Sequence, residues 1–252
     1  VSGRWEAVAA ALRQQAQFCA ALGAPFTSAV CDVLAATVPP RSLTGLRLDA
    51  WPGEPMTDAL PMRLTGALHH LVRAGRAPGL AALYPPAQPP TATALAAALA
   101  GLFADAELDS FVAAFLDSAP QTNEAGRAGA LMPGLLQVAA ATGLPLSLME
   151  LGASAGLNLN MDRFACDLGG VQVGDAASAV IVRPRWEGPP PPSARLEIAA
   201  RAGVDLAPLD AADPAVAARL LAFIWPDQPE RLVRTEAAIA LARRCPPQLH
   251  RD

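Results

Sequence analysis

Apolar positions recur at helical spacing through the first half of the chain and give way to short apolar runs in the second. Trp5, Val8, Leu12, Cys19 and Leu22 predict a helix over residues 4–22 that Gly23 stops. Thr27 or Ser28 can cap a second helix through Val38, where Pro39 and Pro40 end it. Residues 39–57 read as loop, with Trp51-Pro52-Gly53 as a turn. Leu60 to Gly75 is a third helix with Leu60, Leu64, Leu68 and Leu71 inward. Its neighbours His69 and His70 point in different directions, so they suit a surface or half-buried role better than metal ligation. A proline-rich connection over 76–90 leads to a helix capped by Thr91 or Thr93 and ending near Phe103, then to another over 106–116.

Beyond this the pattern changes. Ser118 and Gln121 match a capping box, with Pro120 in the first turn of a helix that runs on to Thr142. Pro133, Gly134, Gln137, Gly143 and Pro145 interrupt the uncharged run 128–149, which therefore reads as helix, loop and strand rather than a membrane span. Leu146, Leu148, Met149 and Leu151 form a strand of the kind buried on both faces of a parallel sheet. Gly152 and Gly156 then bracket a turn, and Leu157, Met161, Phe164 and Leu168 predict a helix whose N-terminus can meet a ligand's polar end. Residues 169–193 read as an insertion with a hairpin-like piece and a stiff run of prolines, Pro189 to Pro192. Leu196 to Ala200 is the next core strand, Asp213-Pro214 opens a helix, and Gln248 to Asp252 opens a third strand. Asp227 and Glu230 form a capping pair before the last helix, where Glu230 and Arg234 fall at ion-pair spacing. The fold class is α/β: a helical N-terminal region, 1–143, followed over 144–252 by the first half of a Rossmann-like sheet.

Composition narrows the partners. Net charge is −4 and every basic residue is arginine, which argues against a broad grip on nucleic acid or on an anionic membrane. Cys19, Cys31, Cys166 and Cys245 show no paired spacing, so scattered buried thiols in a reducing cytosol are expected, without zinc. No apolar segment at the N-terminus has the form of a signal peptide.

The candidate chemistry sits at Glu150 and the glycine turn. An acidic residue followed by spaced glycines after a first strand is the pattern of the cofactor loop in S-adenosylmethionine-dependent methyltransferases. Gly152-Ala-Ser154-Ala-Gly156 also fits the G-x-S-x-G nucleophile elbow, with His250 as the available base. A tight structural turn in a non-catalytic interaction module is the third reading. The helical stretch before the loop disfavours the elbow, which ordinarily follows several strands and a His-Gly-rich oxyanion loop. A second polar cluster, Gln121, Thr122, Asn123, Glu124 and Arg127, allows Glu124 to pair with Arg127 one turn on, yet is richer than a helix cap needs and is a candidate ligand mouth. Asp205, after the second strand, is a candidate ribose acid.

Three blocks, Gln121–Arg127, Glu150–Asn158 continuing to Asp162-Arg163, and Trp225–Arg231, together resemble the bacterial domain-of-unknown-function family numbered 2332. The resemblance covers most of the chain and implies no established activity. Its central block is similar to the methyltransferase loop, which implies a Rossmann-like sheet binding S-adenosylmethionine. Glu150 would serve the methionine end, with Gly152, Ala153, Ser154, Gly156 and Asn158 around it. Asp205 would hold the ribose, and Asp252 would approach adenine. Such a sheet needs further strands beyond the first one, so the chain is expected to be a fragment that carries the cofactor half.

Overall fold

Alanine and leucine give the first half its helices, and leucine packs them. The computed structural model describes residues 3–252. It forms α1 (Gly3–Ala21), α2 (Pro25–Thr37), α3 (Leu43–Asp49), α4 (Leu60–Arg73), α5 (Pro78–Ala81), α6 (Ala92–Ala104) and α7 (Ala106–Phe115). These belong to one compact unit, which runs to Gln121 and takes in Ala222–Pro229. Leu12, Leu34, Leu48, Leu64, Leu68, Leu95, Leu99 and Val112 are fully buried at its centre. Each such side chain contributes about 1.5–3 kcal/mol of transfer free energy.

Carboxylates and hydroxyls close the helix ends. The Thr91 hydroxyl accepts the Ala94 N–H at 3.1 Å, as the sequence predicts. Neither Thr27 nor Ser28 caps α2. Asp227 does so from 200 residues away, accepting the Phe26 and Thr27 N–H groups at 2.7 and 3.0 Å. Asp227 is therefore an α2 cap, not half of a capping pair with Glu230. His69 is buried rather than surface-placed, and its Nδ1 lies 3.2 Å from the Ala222 carbonyl. All four thiols are free; Cys19, Cys31 and Cys166 are buried and Cys245 is half-buried.

The second unit comprises Thr122–Leu221 and Glu230–Asp252. It holds α8 (Ala128–Thr142), β1 (Leu146–Leu151), β2 (Ala165–Leu168), β3 (Val171–Gly174), β4 (Ile181–Val182), β5 (Ile198–Asp205) and β6 (Leu249–Arg251). The helices α9 (Pro214–Ala222) and α10 (Pro229–Arg244) complete the chain. Strands β1, β5 and β6 form a parallel sheet in that order, with Glu150 opposite Gly203 and Asp205 opposite Arg251. A second sheet, ordered β3-β2-β4, joins β2 and β3 as a hairpin. The architecture is mixed α/β.

Four local expectations are corrected. Residues 39–57 are not loop throughout, because Ser42 caps α3 and its hydroxyl accepts the Gly45 N–H at 2.9 Å. Strand β1 is not buried on both faces: its side chains alternate between half-buried and exposed, and Met149 and Leu151 are 65% and 80% exposed. Among the described residues it pairs with β5 alone. The helix expected through Leu168 is a short 3-10 segment, Leu157–Arg163, followed by β2. Asn160 departs from helical angles there, while Arg201 draws Asp162 away through two hydrogen bonds of 2.8 and 3.0 Å. Phe164 and Leu168 still turn inward, but on strand spacing. Finally, Ser118 and Gln121 start no helix; the turn before α8 is the 3-10 segment Ala125–Arg127, capped by Glu124.

Candidate functional site

The bend after β1 is held from its sides and left open above. The Gly152 and Ala153 N–H groups donate to the Val204 carbonyl at 2.9 and 3.1 Å, extending the β1–β5 pairing past the strand. Gly152 has φ +68°, and a methyl group added there meets no atom within 4 Å. Gly156, at φ +65°, is different: an added methyl would lie 2.8 Å from Pro247 and 2.9 Å from Leu249. One glycine faces open space and the other lets the chain pack. Between them Ser154 adopts φ +54°, a strained angle for a residue with a side chain.

Asp205 sustains that strain. One carboxylate oxygen accepts the Ser154 N–H at 2.8 Å and the other accepts the Ala207 N–H at 2.8 Å. The Leu209 N–H donates to the Ser154 carbonyl at 3.0 Å. The loops after β1 and β5 are thus tied together at the carboxyl end of the sheet. Beside Ala155 they wall a pocket of about 270 Å³ with Leu209, Asp210, Ala242, Pro247 and Leu249.

Unpaired side-chain oxygens occur in the bend and on either side of it along the chain. Glu150 Oε2, Asn158 Oδ1 and the Ser154 hydroxyl are buried without a hydrogen-bond partner among the described residues. Buried polar atoms are ordinarily paired, because an unpaired one costs roughly 1–3 kcal/mol. Burial raises the Glu150 carboxyl above its ordinary value, and the Arg127 charge and the Asn158 amide offset this in part. Arg127 itself is exposed.

The polar cluster before α8 braces this loop. Asn123 Oδ1 accepts the Leu157 N–H at 2.8 Å, and the Asn158 amide donates to the Glu124 carbonyl at 3.2 Å. The Glu124 carboxylate accepts the Gly126 N–H and pairs with both Arg231 and Arg234 on α10. The partners expected from spacing, Glu124 with Arg127 and Glu230 with Arg234, are replaced by these longer-range pairs. The expected helix N-terminus for a ligand is also absent: the 3-10 segment is short, and Asn123 already occupies its Leu157 N–H.

A family model described as an uncharacterized protein conserved in bacteria, DUF2332, matches residues 9–252. The chain belongs to the DUF2332 family. Comparison of the DUF2332 chain with curated proteins and with solved structures returns no match. Among its described residues no helix is long and apolar enough to cross a membrane.

The candidate residues of this DUF2332 chain fall into distinct places. Gly152, Ala153, Ser154 and Gly156 form the bend, Glu150 lies in β1 before it, Asn158 in the 3-10 segment after it, Asp205 holds Ser154 from the end of β5, and the Asp252 N–H reaches the Asp205 carbonyl at 3.3 Å. Thr122, Asn123, Glu124 and Arg127 belong to the same unit, whereas Gln121 belongs to the helical one. Ser154 makes no hydrogen bond to His250, which is exposed, so the elbow lacks its nucleophile–base pair. Sequence reasoning missed Arg201, and it gave Arg231 only as the end of the Trp225–Arg231 block and Arg234 only as a partner for Glu230, not as partners of Glu124. Arg201 lies outside the glycine motif, and its only signal is an arginine in the mostly apolar run Leu196–Val204.

Proposed function

We propose that this DUF2332 chain is methyltransferase-like and binds S-adenosylmethionine over Gly152, on a Rossmann-like sheet. The observation that carries the reading is the open space at Gly152, flanked along the chain by Glu150 Oε2 and Asn158 Oδ1, two buried oxygens without a hydrogen-bond partner among the described residues. Two acceptors, one a carboxylate, suit a donor-rich cation such as the ammonium of an amino-acid end. The strand order adds support, since β1, β5 and β6 are parallel neighbours with Glu150, Asp205 and Asp252 at or just past their carboxyl ends. Ligands of open α/β sheets bind at that end.

Each residue then has a task. Glu150 and Asn158 receive the ammonium, and the bend Gly152–Gly156 supplies close backbone approach. Asp205 keeps lone pairs for ribose hydroxyls after accepting its two N–H groups. Asp252 stands toward the adenine. The cofactor supplies an electrophilic methyl group when bound. The protein's share is to orient it, because in-line transfer depends chiefly on positioning.

Isothermal titration of the chain with S-adenosylmethionine tests this. Saturable one-site binding is expected, weakened by roughly tenfold or more in Glu150→Gln, as for loss of a charge-assisted hydrogen bond. A folded chain that takes up no ligand at millimolar concentration would defeat the proposal.

A further inference from the structure

A larger groove lies in the same unit, built from different residues. It measures about 790 Å³ and runs between the β2–β3 hairpin, the segments 175–179 and 194–196, and the end of α10. Three arginines line it: Arg163, Arg195 and Arg244. Two carboxylates line it as well, but Asp162 is spent on the bidentate pair with Arg201. One oxygen of the other, Asp175, is occupied by the Ala177 N–H at 2.9 Å. Arg163 and Arg244 form no ion pair or hydrogen bond among the described residues, and Arg195 reaches Glu197 only at 3.9 Å. Three arginines therefore line the groove against one uncommitted lining carboxylate, with the Arg195 side chain 90% exposed beside Glu197.

We infer that this groove binds a compact phosphorylated small molecule. Guanidinium forks match phosphate oxygens two at a time, which a single ammonium cannot do. The volume lies in the range of small-molecule sites. A long polyanion is the poorer occupant, because the chain carries net charge −4 and no lysine. The floor is partly apolar, with Val173, Leu196 and Leu241, so an organic group can rest beside the phosphates. The inference is independent of the crevice over Gly152 and stands or falls separately.

Cys245 provides the reporter. It lines the groove and is the one half-buried cysteine, while Cys19, Cys31 and Cys166 are buried. The full chain is titrated with inorganic pyrophosphate, with ADP and with a short single-stranded oligonucleotide, following heat and Cys245 labelling by a thiol reagent. Pyrophosphate or ADP is expected to bind saturably and to slow labelling. Arg195→Gln/Arg244→Gln, two exposed positions, is expected to weaken binding roughly tenfold while Arg13→Gln/Arg185→Gln does not. Tighter ADP than pyrophosphate assigns a nucleotide, and equal affinity assigns recognition of the phosphates alone; both support the groove. Absence of saturation at millimolar ligand, equal loss in the two double variants, or tighter binding of the oligonucleotide overturns it.

Discussion

The Asn123 side chain accepts the Leu157 N–H at 2.8 Å, so one polar motif closes the first turn after another. Both groups are buried. Asn123→Ala leaves that N–H without a partner and is expected to cost about 1–3 kcal/mol. Urea unfolding measures the loss. Asn123→Asp, which keeps the acceptor, should recover part of it.

The two glycines of the bend should separate by substitution. Gly156→Ala adds both a disfavoured φ and close contacts to Pro247 and Leu249. Its cost is the left-handed strain of about 1–2 kcal/mol plus roughly 1–3 kcal/mol of overpacking. Gly152→Ala meets only the strain, because nothing stands within 4 Å of the new methyl. Thermal melts of the two variants are expected to differ accordingly, while ligand uptake fails in Gly152→Ala although the protein stays folded.

Glu124 joins the start of the α8 segment to α10 through Arg231 and Arg234, and the Glu124 and Arg234 side chains are only 20% and 24% exposed. A double-mutant cycle of Glu124→Gln and Arg234→Gln is expected to give a coupling of about 0.5–3 kcal/mol. Raising the salt concentration should erode it only modestly, since partly buried pairs are poorly screened. Strict additivity in urea midpoints would show that the pair contributes nothing.

Burial holds the His69 imidazole down to about 4 from an ordinary 6.5, with Arg73 adding to the effect. The folded state therefore keeps His69 neutral where the unfolded chain would protonate it. Stability from this residue is complete above about pH 6.5 and is lost as pH falls toward 4, by an amount on the order of 3 kcal/mol. Denaturation midpoints across that window should fall more steeply in the wild type than in His69→Gln.

Glu150 carries the opposite sign. Its carboxyl is raised chiefly by burial, against an ordinary value of 4.5. Its contribution is most favourable below that value and declines as pH rises through the raised one. Glu150→Gln should accordingly melt no lower than the wild type at pH 7 while binding ligand less well. A marked drop in melting temperature would mean that the carboxylate holds the fold.

Much of this organisation was legible in the chain. The leucine spacing of α4 and the Thr91 cap come from neighbours within a few residues, where periodicity and capping rules apply. The glycine bend and the acids near the strand ends were legible for the same reason. What escaped was set at long range. Asp227 reads as a cap for the helix beside it, yet it serves α2; Glu124 reads as a partner for Arg127, yet it binds α10. Spacing along the sequence cannot distinguish a near partner from a distant one of equal charge. The stripe from Leu157 to Leu168 misled because burial at every third or fourth position also arises when a short 3-10 turn feeds a strand.

Binding of a nucleoside with an amino-acid end at the bend beside Glu150 is the proposal on which the site's residue roles rest. The most direct measurement is an amide NMR titration of the assigned chain with S-adenosylmethionine. Saturating shifts are expected at Gly152, Ala153, Ser154 and Asn158, with the Arg195 and Arg244 amides unmoved. Shifts confined to other parts of the chain, or none at millimolar ligand, would contradict it.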